Sequence, residues 1–123
     1  MHNMHGVVVT ATFQREADRA KLSEDEVQHI IAVIAANPAA GDLMPGTGGL
    51  RKLRFARHGG GKSGGYRTIH YYAGDDIPVF LITIINKREK ENVTRTEQNE
   101  IAKQLPLLVS DYRMGLKRKS RSH

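Results

Sequence analysis

The chain has 123 residues, with 19 Lys+Arg against 13 Asp+Glu, a formal charge of +6 and no cysteine. A chain of this length fits one domain built around one core. It holds no apolar run near the ~20 residues of a membrane span, no basic-then-apolar leader in Met1–His5, and no thiol for disulfides, zinc, iron–sulfur clusters or nucleophilic catalysis.

Gly6 to Phe13 is apolar and β-branched, which predicts a first strand, followed by a short polar helix over 14–20. Ser23-Glu24-Asp25-Glu26 is a capping box, and Val27, Ile30, Ile31 and Ile34 behind it repeat at helical spacing until Asn37-Pro38 ends the run. Residues 38–49 are rich in Gly and Pro and read as a turn region. Leu50 to Arg57 alternates, placing Leu53 and Phe55 on one strand face and Lys52 and Arg54 on the other. The loop 58–65 (HGGGKSGG) precedes a strand over Tyr66–Tyr72, and Ala73-Gly74-Asp75-Asp76 reads as a hairpin turn. Ile77 to Ile85 is nearly all apolar, as in a central strand covered on both faces. A second capping box, Thr94-Arg95-Thr96-Glu97, opens a helix whose stripe is Ile101, Leu105, Leu108 and Tyr112. Pro106 should kink or restart that helix. The residues from Gly115 onward form a basic tail with almost nothing apolar. The expected fold is therefore a small α+β domain over residues 1–114, with tail 115–123. Its antiparallel sheet comprises the N-terminal strand and a three-stranded meander, with two N-terminal helices and a C-terminal one.

The charge is unevenly placed. Residues 1–46 carry three basic and six acidic groups, residues 47–90 nine and three, and residues 91–123 seven and four. The excess lies C-terminal to Pro45, the footprint expected of a surface that meets a polyanion, nucleic acid first. In a meander, the end of the first strand, the start of the second and the end of the third share one edge. That brings Arg57, Lys62, Arg67 and Lys87-Arg88 together, with Lys52 and Arg54 a few residues along. Unmatched cations repel one another, and a polyanion would offset the cost.

Other motifs fail on spacing. Gly61-Lys62-Ser63 ends like a P-loop, but position 56 is Ala and a strand follows where a helix is required. Gly46-Thr47-Gly48 lacks the third glycine of a dinucleotide fingerprint. His2 and His5 lie at a terminus, His70 sits mid-strand as a packing residue, and His58 beside the glycine loop can titrate near neutrality. No carboxylate pair or metal set stands out, and the sequence implies no cofactor.

Three segments together carry a specific pattern: GGLRKLRFA (48–56), GKSGGYR (61–67) and an apolar strand ending in INKREKENVT (85–94). They resemble the RelE/HigB-like toxins of the RelE/ParE superfamily, from bacterial type II toxin–antitoxin modules, and most closely the HigB-like branch with a long glycine-rich loop. The resemblance spans nearly the whole chain in element order. It implies a microbial RNase fold and an mRNA interferase, a ribosome-dependent endoribonuclease that inhibits translation in the cytoplasm. It also implies two partners: a cognate antitoxin, here a small helix-turn-helix HigA-like protein, and the mRNA on its ribosome. No membrane, metal or cofactor is implied.

Carried over residue by residue, the catalytic set is Lys52 and Arg54 on the first meander strand, Arg67 as phosphate stabiliser, and Lys87-Arg88 at the strand end. Arg51, Arg57, His58, Lys62, Tyr66 and Lys90 would bind RNA or ribosome. Two departures stand out. Arg54 replaces a lysine that is a candidate base, and an arginine keeps its proton, so the base falls to Lys52, Lys62, Lys87, Lys90 or His58. Thr94 stands in the region where the family places a base-stacking tyrosine, which leaves Tyr66 as the alternative platform. A non-catalytic protein on the same fold, a ParE-like gyrase inhibitor or an RNA-binding regulator, is the competing reading.

Overall fold

The computed structural model describes residues 6–56, 65–86 and 94–121, with 116–121 described by backbone alone. Strand β1 is Val7–Val9. Its composition predicts a strand running to Phe13, but Thr10 ends it. The Thr10 hydroxyl donates to the Leu81 carbonyl at 2.7 Å and accepts from the Phe13 N–H at 3.1 Å. It thus anchors the chain to the sheet and caps helix α1, Ala11–Arg19, in one residue. The helix therefore starts three residues before the polar stretch that predicted it.

Helix α2, Glu24–Ala36, has the expected reciprocal capping box: the Glu26 N–H donates to Ser23 Oγ, and the Ser23 N–H donates to Glu26 Oε1. Val27, Ile30 and Ile34 fall on one side at helical spacing and are buried. With Phe13 and Ala17 of α1 they form the helical half of the core. Phe55, Tyr66, Val79, Leu81 and Ile84 form the sheet half.

The sheet adds β2 (Asp42–Leu43), β3 (Leu50–Phe55), β4 (Tyr66–Tyr71) and β5 (Val79–Asn86) in the order β1-β5-β4-β3-β2. The class is α+β, as expected, and β3-β4-β5 is the antiparallel meander. Two features correct the expectation. Strand β1 runs parallel to β5, Val7 opposite Val79 and Val9 opposite Leu81, so the sheet is mixed. Strands β1 and β5 are far apart in sequence: the chain crosses over through α1 and α2 to the meander, whose strands β3 and β5 both run parallel to β1. The turn region 38–49 also contributes a fifth, two-residue strand at the edge of β3.

Strand β5 accounts for its own apolar run. Ile69 pairs with Thr83 but His70 pairs with Leu81, which leaves Ile82 as a bulge. The extra residue lets Leu81 and Ile84 both reach the helical core, while Phe80 and Ile85 are buried on the opposite face.

Residues 94–121 form a second unit holding helix α3, Arg95–Arg121. The Thr94 N–H donates to Glu97 Oε1 and the Glu97 N–H donates to Thr94 Oγ1, the second capping box. The helix neither restarts at Pro106 nor ends at Gly115. A single proline removes one helical N–H bond, and a 27-residue helix carries that loss.

Candidate nucleic-acid interface

Cross-strand register decides which cations can act together. Phe55, Tyr66 and Asn86 form one row across β3, β4 and β5. The end of β3, the start of β4 and the end of β5 therefore share an edge. One residue inward on β3, Arg54 stands directly opposite Arg67, and Lys52 stands opposite Ile69. Directly paired residues project to the same side, so Arg54, Arg67 and Lys52 share the face turned away from α1 and α2. Arg54 is exposed, while Lys52 and Arg67 are half-buried. Among the described residues neither Lys52 nor Arg54 forms an ion pair. Two arginines opposed across a strand pair repel each other, and a bound phosphate between them would remove that cost.

Alternation moves two predicted ligands to the other side. Tyr66 is buried at 4 % exposure and stacks on Phe55, with ring centroids 5.8 Å apart. It is a core residue under α2 and offers no platform for a base. Arg51 shares the helical face with Leu53 and Phe55. Its guanidinium donates to the Ala39 carbonyl at 3.0 Å and the Gly41 carbonyl at 3.5 Å. Arg57, His58, Lys62, Lys87, Arg88 and Lys90 lie outside the described residues.

Arg51 does not act alone on that loop. Its cross-strand partner is His70, which is fully buried and whose Nε2–H donates to the Pro38 carbonyl at 3.0 Å. Burial pushes the His70 imidazole below its ordinary 6.5, against the opposing effect of the Pro38 hydrogen bond, and the nearby Arg51 charge adds to the lowering. The neutral form with the proton on Nε2 is the one that fits a carbonyl acceptor. His70 is thus the packing residue its mid-strand position suggests, with Nδ1 buried and, among the described residues, without a hydrogen-bond partner.

The pair Arg51–His70 pins residues 38–41, and three further features fix the path from Gly41 to Leu50. Gly41 adopts φ +86°, and a Cβ there would overlap the Lys52 carbonyl oxygen, so the chain crosses β3 at a distance only glycine permits. The Met44 N–H donates to the Leu50 carbonyl at 2.8 Å. The buried Thr47 hydroxyl donates to the Met44 carbonyl at 2.6 Å and accepts from the Leu50 N–H at 3.2 Å. The consequence is a residue the sequence pattern did not single out: Asp42, exposed, pairs directly with Lys52 and so stands on the cation face. Its only sequence signal is the glycine before it. Among the described residues no group of three or more His, Cys, Asp or Glu could hold a metal ion.

A family model described as the RelE toxin of the RelE/RelB toxin–antitoxin system matches residues 6–117. Among solved structures, the chain is similar to that of an arginine-to-alanine double mutant of E. coli toxin RelE in the free state. The match has 14 % sequence identity and a TM-score of 0.49, covering 71 % of this chain and 87 % of that one.

Proposed function

The chain belongs to the RelE toxin family, and from that premise we propose that it is an mRNA endoribonuclease that cuts transcripts on the ribosome and so stops translation. The toxin of a toxin–antitoxin system has an antitoxin partner. Here we propose a small helix-turn-helix protein of the HigA type, and the cytoplasm as the place of action. The observation that carries the catalytic reading is the Arg54–Arg67 pair, opposed across β3 and β4 with Lys52 on the same face.

The reaction needs no metal. The RNA 2′-oxygen attacks the adjacent phosphorus, the bond from phosphorus to the 5′-oxygen breaks, and a 2′,3′-cyclic phosphate and a 5′-hydroxyl result. The 2′-hydroxyl proton passes to a base, and the leaving 5′-oxygen takes a proton from an acid. Arg67 and Arg88 stabilise the charge on the phosphoryl oxygens, and Lys52 and Arg54 hold the RNA backbone. Lys62, Lys87 and Lys90 relay protons, with one of these, Lys52 or His58 serving as base. A lysine among other cations loses its proton more readily, so a cationic site can supply base, acid and charge stabilisation together.

The test is to induce the protein in bacteria and map transcript ends. Cleavage inside reading frames, leaving 2′,3′-cyclic phosphates, supports the reading. Arg67→Ala should lower it by about 10²–10³, the worth of one charge-stabilising contact, while the protein still folds and melts cooperatively. Intact transcripts accompanied by a DNA-damage response would replace endonuclease with gyrase poison.

A further inference from the structure

We propose that Asp42 is a specificity-determining residue of this interface, accepting hydrogen bonds from the Watson–Crick edge of a guanine beside the cleaved phosphate; this rests on the RNA-cleavage reading above. A carboxylate is out of place on a surface that gathers phosphates. Yet Asp42 stands opposite Lys52 on the cation face, exposed, and among the described residues forms no ion pair that would make it a mere counter-charge. Its place is built rather than accidental. Arg51 and His70 hold the carbonyls of Pro38, Ala39 and Gly41, and Gly41 packs its backbone against Lys52. RNA carries hydrogen-bond donors on its 2′-hydroxyls and its base edges; an acid set off to one side of the phosphate ligands is suited to the base edges.

The geometry fits that role. Directly opposed residues lie about 5 Å apart, and Arg54 is two residues, about 7 Å, along β3 from Lys52. Asp42 therefore stands roughly 8 Å from Arg54 and about 12 Å from Arg67, a span that covers a phosphate and the outer edge of its base. An ionised carboxylate offers two acceptors and no donor. Guanine alone presents two adjacent donors, N1–H and the N2 amino group, on its Watson–Crick edge. Adenine and cytosine set a ring acceptor beside their amino group, and uracil flanks its single N–H with two carbonyls. Single-stranded RNA exposes these edges for reading.

The experiment maps cleavage ends from cells making the full-length wild type, Asp42→Asn or Arg67→Ala. The wild type should show guanine enriched at one fixed position next to the cut. Asp42→Asn replaces one acceptor with a donor at equal size. It should lower cleavage at guanine sites by about tenfold to a hundredfold, the discrimination of a bidentate contact, while leaving other sites within about twofold. Arg67→Ala should lower cleavage at all sites alike. No fixed guanine in the wild type, or the same sites cut in the same proportions by Asp42→Asn, overturns the assignment while the cleavage reading stands. Transcripts left intact by the wild type overturn both.

Discussion

Replacing Arg54 with glutamine should stabilise the protein and weaken the proposed RNA cleavage at once, because the residue stands opposite Arg67 across β3 and β4. Two like charges at about 6 Å, the scale of a directly opposed cross-strand pair, repel by about 0.7 kcal/mol in a water-like dielectric, in line with the 0.2–1 kcal/mol range of cross-strand pairs. For a domain of this length, 1 kcal/mol corresponds to about 3–5 °C in Tm, so the variant should melt about 2–3 °C higher at low salt. The gain should vanish in 1 M salt, where the screening length is only about 3 Å. One lost charge-assisted contact to RNA is worth about 1.5–3 kcal/mol, so cleavage should fall roughly ten- to hundredfold. The assays are thermal melts at two ionic strengths beside end-mapping of the same variant. A lower Tm, or a gain that 1 M salt leaves intact, would mean that Arg54 is not held against like charge. Undiminished cleavage would remove it from the interface.

His70 makes stability depend on pH with a definite sign. Its folded-state pKa lies below the ordinary 6.5 because the ring is buried, so below 6.5 the unfolded chain binds the proton more readily and stability falls as pH falls. Between pH 7 and pH 5, Tm should drop more in the wild type than in His70→Gln, which keeps a donor for the Pro38 carbonyl and cannot titrate. Equal slopes would contradict the assignment. Gly41→Ala should destabilise by at least about 2 kcal/mol, since the left-handed backbone alone costs a side-chain-bearing residue about 1–2 kcal/mol and the new Cβ meets the Lys52 carbonyl; a melt within 1 °C of wild type would refute the close crossing.

Periodicity made most of the fold readable. Val27, Ile30 and Ile34 announced a helix face, and the Ser23 and Thr94 boxes marked two helix starts that the structure repeats. The features periodicity missed came from interactions distant in sequence. Thr10 looks like a strand residue until Leu81, 71 positions away, accepts its hydroxyl and turns it into a cap. The direction of β1 depends on the path through two helices, which local pattern does not encode. Asp42–Leu43 became a strand because β3 offered an edge, in a segment whose composition spoke only of turns.

The site was legible to the extent that alternation was obeyed. Lys52, Arg54 and Arg67 were placed together by counting residues through a hairpin, and the register agrees. The same counting, applied to Arg51 and Tyr66, puts them on the opposite face, where charge and aromaticity serve the packing: one clasps the 38–41 loop, the other stacks in the core. Basicity alone made Arg51 look like its neighbour Lys52, yet a one-residue step along a strand separates a loop clasp from a side chain on the cation face. Asp42 escaped notice for the converse reason. It belongs to the acidic N-terminal third by sequence, and only the Gly41 crossing, fixed by the Arg51–His70 pair, carries it onto the cation face. The residues that hold the loop and the residues that face outward are thus consecutive on one strand, so the arrangement of the basic face depends on the packing beneath it.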